Sequence, residues 1–261
     1  MRITVLGCAG SIARGNATTA FQVDDDLLID MGTGVGSLTL EQMSRIDHVL
    51  LSHSHLDHVL ALPLLADTVM QWRVQHQRPP IQVYALQPTL QTLRQHLFNE
   101  ALWPDFTRIP SAEHPVISLQ AVQCGDVLSF GQRRVHILPA AHSVAAIGFA
   151  LAAHEGADAP KWVYTGDTGP NPQLWPILRQ WPVRDLVIEV AFADADAHVA
   201  VASAHLHPKA LGHELQALDS SVAVHLTHIK PGDLERVQQE VAALNLPHRI
   251  CALRPGDTFT L

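Results

Sequence analysis

The chain has little cysteine, little positive charge and no long apolar segment. Its three cysteines are widely spaced, form no Cys-x-x-Cys pair and cannot all pair with one another. Because such usage is typical of a reducing compartment, we expect a cytoplasmic protein and interpret the three thiols as small buried apolar groups. No apolar run approaches the roughly 20 residues of a membrane-spanning helix, and the first residues predict a strand rather than a secretory leader.

The shortage of positive charge bears on the partner. Lys and Arg number 17 against 25 Asp and Glu, which gives a formal net charge of -8. Proteins that depend on phosphate-backbone contacts usually carry a basic patch, so we expect neither nucleic acid nor a membrane as partner. A small anionic ligand remains compatible, because bound divalent cations can supply local positive charge.

Histidine, by contrast, is abundant, at 17 residues, and six consecutive positions hold three imidazoles and a carboxylate. They read His53-Ser54-His55-Leu56-Asp57-His58 and follow an apolar run. Alternate residues of a chain leaving a strand point to one side, so His53 and His55 are placed to hold one ion. Asp57 and His58 lie one turn further and are placed to hold a second. Imidazole and carboxylate suit zinc, and also manganese or iron.

Alternating strand and helix patterns predict an α/β fold. The predicted strands are Ile3–Leu6, Ala20–Val23, Leu27–Ile29, His48–Leu51, Gln82–Ala85, Val135–Leu138, Ile147–Ala152, Trp162–Thr165, Leu186–Val190, Val222–Leu226 and Arg249–Ala252. Helices are predicted to begin near Asp57, Thr89, Gln173, Pro208 and Asp233. We expect a single domain made of two similar halves, about residues 1–134 and 135–261, packed face to face.

Four further ligand-type residues lie at or just past the carboxyl ends of predicted strands: His142, Asp167, Glu189 and His228. Sites in α/β proteins form at that edge of the sheet, so we expect one shared site. His142 would complete the first ion's set, His228 the second, and Asp167 could bridge two ions about 3.5–4 Å apart. The predicted metal ligands are therefore His53, His55, Asp57, His58, His142, Asp167 and His228.

These motifs resemble the metallo-β-lactamase superfamily of dinuclear hydrolases. The resemblance covers essentially the whole chain and implies a four-layer αββα sandwich that holds two divalent metal ions. It is carried by His53–His58, His142, Thr165-Gly166-Asp167-Thr168 and Leu226-Thr227-His228.

A narrower resemblance is to the class II cyclic-nucleotide phosphodiesterases. It is carried by Ser52–Val59, Leu97–Phe106, Leu186–Phe192, Ala204–Pro208 and Thr227–Pro231. Two positions depart from the family pattern. The glycine that usually follows the last histidine is missing from Val59-Leu60-Ala61-Leu62, and the family's His-Leu-Thr-Pro reads His205-Leu206-His207-Pro208.

Related phosphodiesterases and the tRNA 3′-processing nuclease place a Glu–His pair beside the metals, and Glu189 and His205 match it by position. The carboxylate would orient the imidazole and raise its pKa, which suits a general acid near neutral pH. His207 competes with His205 for this role. The alternative is that Glu189 is a strand-end charge and His205 a surface residue. We also expect a catalytic role for Asp57.

The resemblance implies hydrolysis of a 3′,5′-cyclic nucleotide, cAMP or cGMP, to a 5′-mononucleotide. Water activated by the metals would attack phosphorus, and His205 would protonate the departing oxygen. The alternatives are tRNA 3′-end processing, another hydrolase of the superfamily, and a catalytically silent module that binds metal or nucleotide. The resemblance also allows a homodimer. No substrate-binding residue is assigned.

Four residues near these motifs are open to two interpretations. Asp30 is expected to support the metal loop or a turn. Trp103 and Phe106 could stack a nucleobase or pack in the core. His225 falls within a predicted strand, so His228 is preferred as the ligand.

Overall fold

Two seven-stranded sheets form the centre of the computed structural model, which describes residues 1–261. The strands of the first sheet are β1 (Arg2–Gly7), β2 (Ala20–Val23), β3 (Leu27–Ile29), β4 (His48–Leu50), β5 (Ile81–Leu86), β6 (Ile117–Val122) and β14 (Thr258–Thr260). Those of the second sheet are β7 (Val127–Phe130), β8 (Arg133–Pro139), β9 (Ile147–Ala152), β10 (Lys161–Tyr164), β11 (Val183–Glu189), β12 (Ala223–Thr227) and β13 (Ile250–Ala252).

Eight α-helices accompany the sheets. They are α1 (Leu40–Arg45), α2 (Leu56–Val59), α3 (Ala61–Gln75), α4 (Gln87–Thr92), α5 (Trp175–Leu178), α6 (Ala197–Ala202), α7 (Pro208–Leu215) and α8 (Leu234–Ala243). Local signals explain where several of them begin. Thr39 and Gln42 form a reciprocal capping box at the start of α1, and Pro208 occupies the first turn of α7, where no backbone donor is needed. No helix combines the length and the apolar character that crossing a bilayer requires.

Both sheets follow the same pairing order. The first runs β14-β1-β2-β3-β4-β5-β6 and the second β7-β8-β9-β10-β11-β12-β13. In each, the first three pairings are antiparallel and the last three are parallel. The carboxyl ends of the parallel strands therefore meet at one edge of each sheet. The division into halves near residues 134 and 135 stays a prediction.

Three apolar clusters define the layers. The first packs the outer face of the first sheet against α3, with Leu62, Leu65 and Val69 from the helix. The middle cluster joins the two sheets, and in it Phe21 lies edge-on to Trp162 with ring centroids 5.4 Å apart. The third packs the second sheet against α7 and α8. Helix, sheet, sheet and helix thus form the αββα sandwich that the resemblance implied.

Eleven predicted strands are present, and three of them have the predicted bounds: β2, β3 and β9. The sequence patterns missed β6, β7 and β14, each of which lies at the edge of its sheet. Edge strands bury less side-chain surface, so their apolar alternation is weak, and β7 is partly exposed along most of its length. Pairing with a neighbour, rather than local pattern, defines them.

Candidate active site

The residues proposed as ligands come together at the carboxyl-terminal edges of both sheets. His53 follows β4, Asp167 follows β10, Glu189 ends β11 and His228 follows β12. His142 follows β8, which lies two strands from β10. The short helix α2 turns the chain after His55 and carries Asp57 and His58. All seven proposed ligands therefore lie around one location, which no single segment of the chain could provide.

Three imidazoles form the first group. The Nδ1 atom of His55 lies 3.1 Å from Nε2 of His53 and 3.1 Å from Nε2 of His142. Metal–nitrogen bonds of about 2.0–2.1 Å in a tetrahedron put neighbouring donor atoms roughly 3.3 Å apart. The three nitrogens have the mutual spacing that one shared cation requires, and this set could hold a metal ion.

The second group comprises Asp57, His58 and His228. Oδ2 of Asp57 lies 3.7 Å from Nε2 of His58 and 3.8 Å from Nε2 of His228. Their donor atoms lie within 4.8 Å of one another, so this set could also hold an ion.

Asp167 lies between the two groups. Its Oδ2 atom is 3.7 Å from Nε2 of His53 in the first group. The same oxygen is 3.3 Å from Nε2 of His58 and 3.2 Å from Nε2 of His228 in the second. A single carboxylate thus contacts ligands of both groups, which is the position a bridging ligand would occupy.

Several buried polar atoms of this cluster have no hydrogen-bond partner in the protein. They include Nε2 of His58, Oδ1 of Asp167 and Nδ1 of His228. An unsatisfied buried polar group costs about 1–3 kcal/mol, so several unsatisfied atoms in one cluster are unusual. A cation would provide a partner for the His58 nitrogen and the Asp167 carboxylate, and these residues therefore fit divalent metal ions.

Most of the pKa shifts in the cluster favour the forms that bind a cation. Burial lowers the pKa of His228 to about 3 and that of His53 well below its ordinary value, which favours neutral imidazoles. His58 differs: burial lowers its pKa, but Asp167 and Asp30 outweigh burial and raise the pKa well above its ordinary value. Burial raises the pKa of Asp167, but His228 and His58 outweigh it and hold the pKa well below the usual range. Neutral imidazole and ionised carboxylate are the forms that bind metals.

Asp30 orients His58 of the second group through a hydrogen bond from the ring nitrogen that does not face the other ligands. Its Oδ2 atom accepts hydrogen bonds from His58 Nδ1 at 2.8 Å, from the Ser52 hydroxyl at 2.8 Å and from the Tyr164 hydroxyl at 3.0 Å. Its Oδ1 atom accepts from the backbone of Ser52 at 2.7 Å. With Nδ1 of His58 engaged as a donor, the lone pair of Nε2 points toward Asp57, Asp167 and His228.

Two further contacts orient the first group. Nδ1 of His53 lies 2.9 Å from the Ser52 hydroxyl, and Nδ1 of His142 lies 3.0 Å from the carbonyl of Ala204. Sequence reasoning assigned no role to Ser52, Tyr164 or Ala204. The hydroxyl that follows Trp162 and Val163 in the buried strand β10 was a detectable signal for Tyr164. A backbone carbonyl leaves no such signal in sequence.

Glu189 and His205 form a buried pair beside the cluster. Nδ1 of His205 lies 2.7 Å from Oε1 of Glu189. The carboxylate also accepts from the backbone of Thr168, Ala191 and Leu206. Burial raises the pKa of Glu189 to about 7, although the hydrogen bond and charge of His205 and the backbone of Thr168 oppose that rise. Burial lowers the pKa of His205, but the hydrogen bond and charge of Glu189 outweigh it and raise that pKa above its ordinary value.

The ring of His205 faces both groups of proposed ligands. It stacks on His228 with ring centroids 5.3 Å apart and lies 4.9 Å from the ring of His142. His207 instead bonds Oδ1 of Asp194 at 2.6 Å and belongs to no cluster of ligand atoms. Of the two competing histidines, the structure places His205 next to Glu189.

Other residues lie away from the cluster. His225 bonds Asp185 at 2.9 Å and is in none of the ligand groups. Phe106 is 1 % exposed within the first apolar cluster and is not free to stack a nucleobase, whereas Trp103 packs against that cluster and is only partly buried. The interpretation of the cysteines as buried was wrong: Cys124 and Cys251 are exposed and Cys8 is half-buried. Cys124 lies in a turn, and Cys251 lies on an edge strand.

The sequence places the chain in a family. Residues 27–229 match the beta-lactamase superfamily domain, and the chain belongs to that family. The expected metallo-β-lactamase fold is thereby confirmed, and with it the coarser part of the expected function, a hydrolase of this superfamily.

Individual relatives are more distant. The chain is 24% identical over 280 residues to a probable 3′,5′-cyclic-nucleotide phosphodiesterase of Yersinia pestis, which covers 88% of this chain and 78% of the relative. It is 28% identical over 162 residues to Ribonuclease Z of Haloarcula marismortui, covering 58% of this chain. That match spans about half, 47%, of the relative's length. The crystal structure of unliganded yeast PDE1 superposes with a TM-score of 0.81 at 17% identity, covering 100% of this chain and 99% of that one.

Proposed function

We propose that the protein is a dinuclear-metal phosphodiesterase that hydrolyses 3′,5′-cyclic nucleotides, cAMP or cGMP, to 5′-mononucleotides. The single observation that carries the proposal is the buried Glu189–His205 pair, whose imidazole faces both proposed ligand groups. An acid in that position is useful where an alkoxide leaves, as in cleavage of an unactivated phosphodiester. The relatives with phosphodiesterase names support the same substrate class.

The proposed ligands are His53, His55 and His142 for one ion and Asp57, His58 and His228 for the other, with Asp167 shared. Zinc suits this histidine-rich set best, and manganese or iron would also fit. Two bound divalent ions would lower the pKa of a water nucleophile and neutralise charge on the phosphate oxygens.

The chain's own residues supply orientation and the proton. Asp30 and Ser52 hold the rings of His58 and His53, so their donor atoms need no reorganisation when a ligand binds. Glu189 raises the pKa of His205 above its ordinary value, which favours the protonated imidazole that can donate. Its Nδ1 is engaged by Glu189, so Nε2 is the atom that would donate to the departing 3′ oxygen. Asp57, the least buried of the proposed ligands in its group, would help to position the attacking water.

A panel of substrates tests this proposal on metal-loaded protein. It comprises cAMP, cGMP, 2′,3′-cyclic nucleotides, bis-p-nitrophenyl phosphate and a tRNA precursor. We expect His205→Ala to lower kcat for cAMP by about 10²–10⁴-fold. Activity on bis-p-nitrophenyl phosphate should be largely retained, because p-nitrophenolate leaves without a proton. His207→Ala is the matched control and should change either rate only a few-fold.

The outcomes separate the alternatives. The proposal is contradicted if the protein turns over none of the cyclic nucleotides while its metal content and folding are intact. Salt-dependent cleavage of the tRNA precursor would favour the nuclease, which the Ribonuclease Z relative supports and the net charge of -8 opposes. Tight nucleotide binding without turnover of any compound would identify a silent binding module.

A further inference from the structure

A thiol, an imidazole and a carboxylate on three neighbouring strands of the second sheet lie within hydrogen-bond distance of one another in sequence from strand to strand. Cys251 on β13 is paired in register with His225 on β12, and its Sγ atom lies 3.3 Å from His225 Nδ1. On the other side of the ring, His225 Nε2 lies 2.9 Å from Oδ1 of Asp185 on β11. None of the three belongs to the proposed metal groups.

The surroundings hold this arrangement in place. Oδ2 of Asp185 accepts a hydrogen bond from Arg184 Nε at 2.7 Å. The ring of His225 packs edge-on against Phe259 of β14, with centroids 4.8 Å apart. Because Nε2 donates to the Asp185 carboxylate, Nδ1 either accepts the thiol proton or, when protonated, donates to the sulfur. The second state pairs an imidazolium with a thiolate.

The charges around the thiol agree with this pairing. Burial lowers the pKa of His225, but the hydrogen bond to Asp185 outweighs it and raises the pKa to about 9. The hydrogen bond from His225 lowers the pKa of Cys251 despite partial burial. Of the charged groups facing the thiol, Arg249 lowers that pKa further and Asp257 raises it.

The other two cysteines provide a contrast within the same chain. Burial raises the pKa of Cys8 to about 12. The pKa of Cys124 is also raised, because its thiol is partly desolvated although the residue as a whole is exposed. Cys251 alone combines exposure with an imidazole at hydrogen-bond distance. Its strand is the outer strand of its sheet, so no further strand covers it.

We propose that Cys251, activated by His225 and Asp185, is a site of reversible modification by low-molecular-weight disulfides. The Cys251 sulfur attacks one sulfur of the small disulfide, and a new sulfur–sulfur bond forms as the old one breaks. The electron pair leaves with the second sulfur, which takes up the proton that His225 holds. The protein sulfur is oxidised and the departing thiol is reduced, so no further oxidant is needed.

Oxidised glutathione is the probe, and peptide mass spectrometry follows adduct formation at each cysteine of the folded full-length protein. At pH 7 we expect Cys251 to react roughly tenfold faster than Cys124. Dithiothreitol should reverse the adduct. His225→Gln should reduce the Cys251 rate to that of Cys124, and Asp185→Asn should reduce it partly.

Cys8 serves as the folding control, because burial raises its pKa to about 12 and we expect its half-buried thiol to react slowly while the chain is folded. A Cys251 rate equal to or below that of Cys124 would overturn the proposal. So would an unchanged Cys251 rate in both variants while Cys8 remains protected. If Cys8 reacts in His225→Gln, that variant has unfolded, and Asp185→Asn then decides the question.

Discussion

At the scale of single residues, one buried carboxylate supports much of the proposed metal site. Asp30 is fully buried, has a left-handed backbone with φ of 57°, and accepts four hydrogen bonds. Asparagine tolerates that backbone conformation and nearly preserves the volume. It has only one acceptor oxygen, so its amide NH2 must face either the backbone N–H of Ser52 or the three side-chain donors, and one of these contacts is lost.

We therefore expect Asp30→Asn to lower metal affinity by about 10–100-fold. Metal content after dialysis and competition with a chelator would measure the change. Asp24 is the matched control, because it also has a left-handed backbone, with φ of 47°, but is exposed. If Asp24→Asn and Asp30→Asn retain metal equally, Asp30 does not orient the ligands.

The Glu189–His205 pair predicts a pH dependence. Glu189 raises the pKa of His205, so the acid form persists to higher pH than in an isolated histidine. Turnover of cAMP should fall as pH rises through the pKa of His205, because the imidazole loses the proton that it donates. Glu189→Gln removes the negative charge and should move this falling limb to lower pH.

A pH–rate profile of kcat for both proteins checks this expectation. The limb should be weak or absent with bis-p-nitrophenyl phosphate, whose leaving group needs no proton. A limb that stays in place in Glu189→Gln would mean that another group controls it.

At the scale of elements, the turn after β3 depends on close backbone approach. The 3₁₀ helix Thr33–Ser37 contains Gly34, where a Cβ atom would lie 2.6 Å from the backbone of Leu6 and Gly7. Overpacking against backbone costs about 1–3 kcal/mol, and we expect Gly34→Ala to destabilise the protein by that amount.

Gly36 lies in the same helix and provides the control. A Cβ atom there would meet nothing within 4 Å, and neither glycine has a positive φ. Gly36→Ala should be neutral or stabilise by up to about 1 kcal/mol, because alanine reduces the entropy of the unfolded chain. Urea midpoints of the two variants measure the difference, and equal midpoints would contradict the close approach at Gly34.

At the scale of the whole molecule, an ion pair connects the two sheets. The guanidinium of Arg133 on β8 makes two hydrogen bonds of 2.7 Å to the carboxylate of Asp26, which lies in the turn before β3. Arg133 is largely buried, whereas the neighbouring Arg134 pairs with Glu155, whose side chain is 79% exposed. The two arginines are adjacent in sequence, but the carboxylate that pairs with Arg133 is much less exposed than the one that pairs with Arg134.

We expect Arg133→Ala to destabilise the protein by about 1–2 kcal/mol, and Arg134→Ala to change stability by less than about 0.5 kcal/mol.

Because both sheets contribute to the middle apolar cluster, unfolding should be a single transition. Circular dichroism and the fluorescence of buried tryptophans, among them Trp162, should then give the same midpoint in urea. Two separate midpoints would show that the sheets unfold independently.

Much of this molecule could be predicted from sequence, because some of its signals are local. Buried strands such as β9 are continuous apolar runs, and the six residues His53–His58 concentrate ligand atoms that have few other uses. The placement of single ligand-type residues after strands predicted that they would meet, because carboxyl ends of parallel strands share one edge.

Only the tertiary structure decided the contacts between segments distant in sequence. It placed His205 beside Glu189 and His207 beside Asp194. It brought Ser52 and Tyr164 within hydrogen-bond distance of Asp30, next to the proposed ligands. It also placed His225 between Cys251 and Asp185 on three neighbouring strands. The local sequence determines which side chains are available, but hydrogen-bond partners depend on strand register and layer packing, which arise only when the two sheets close on each other.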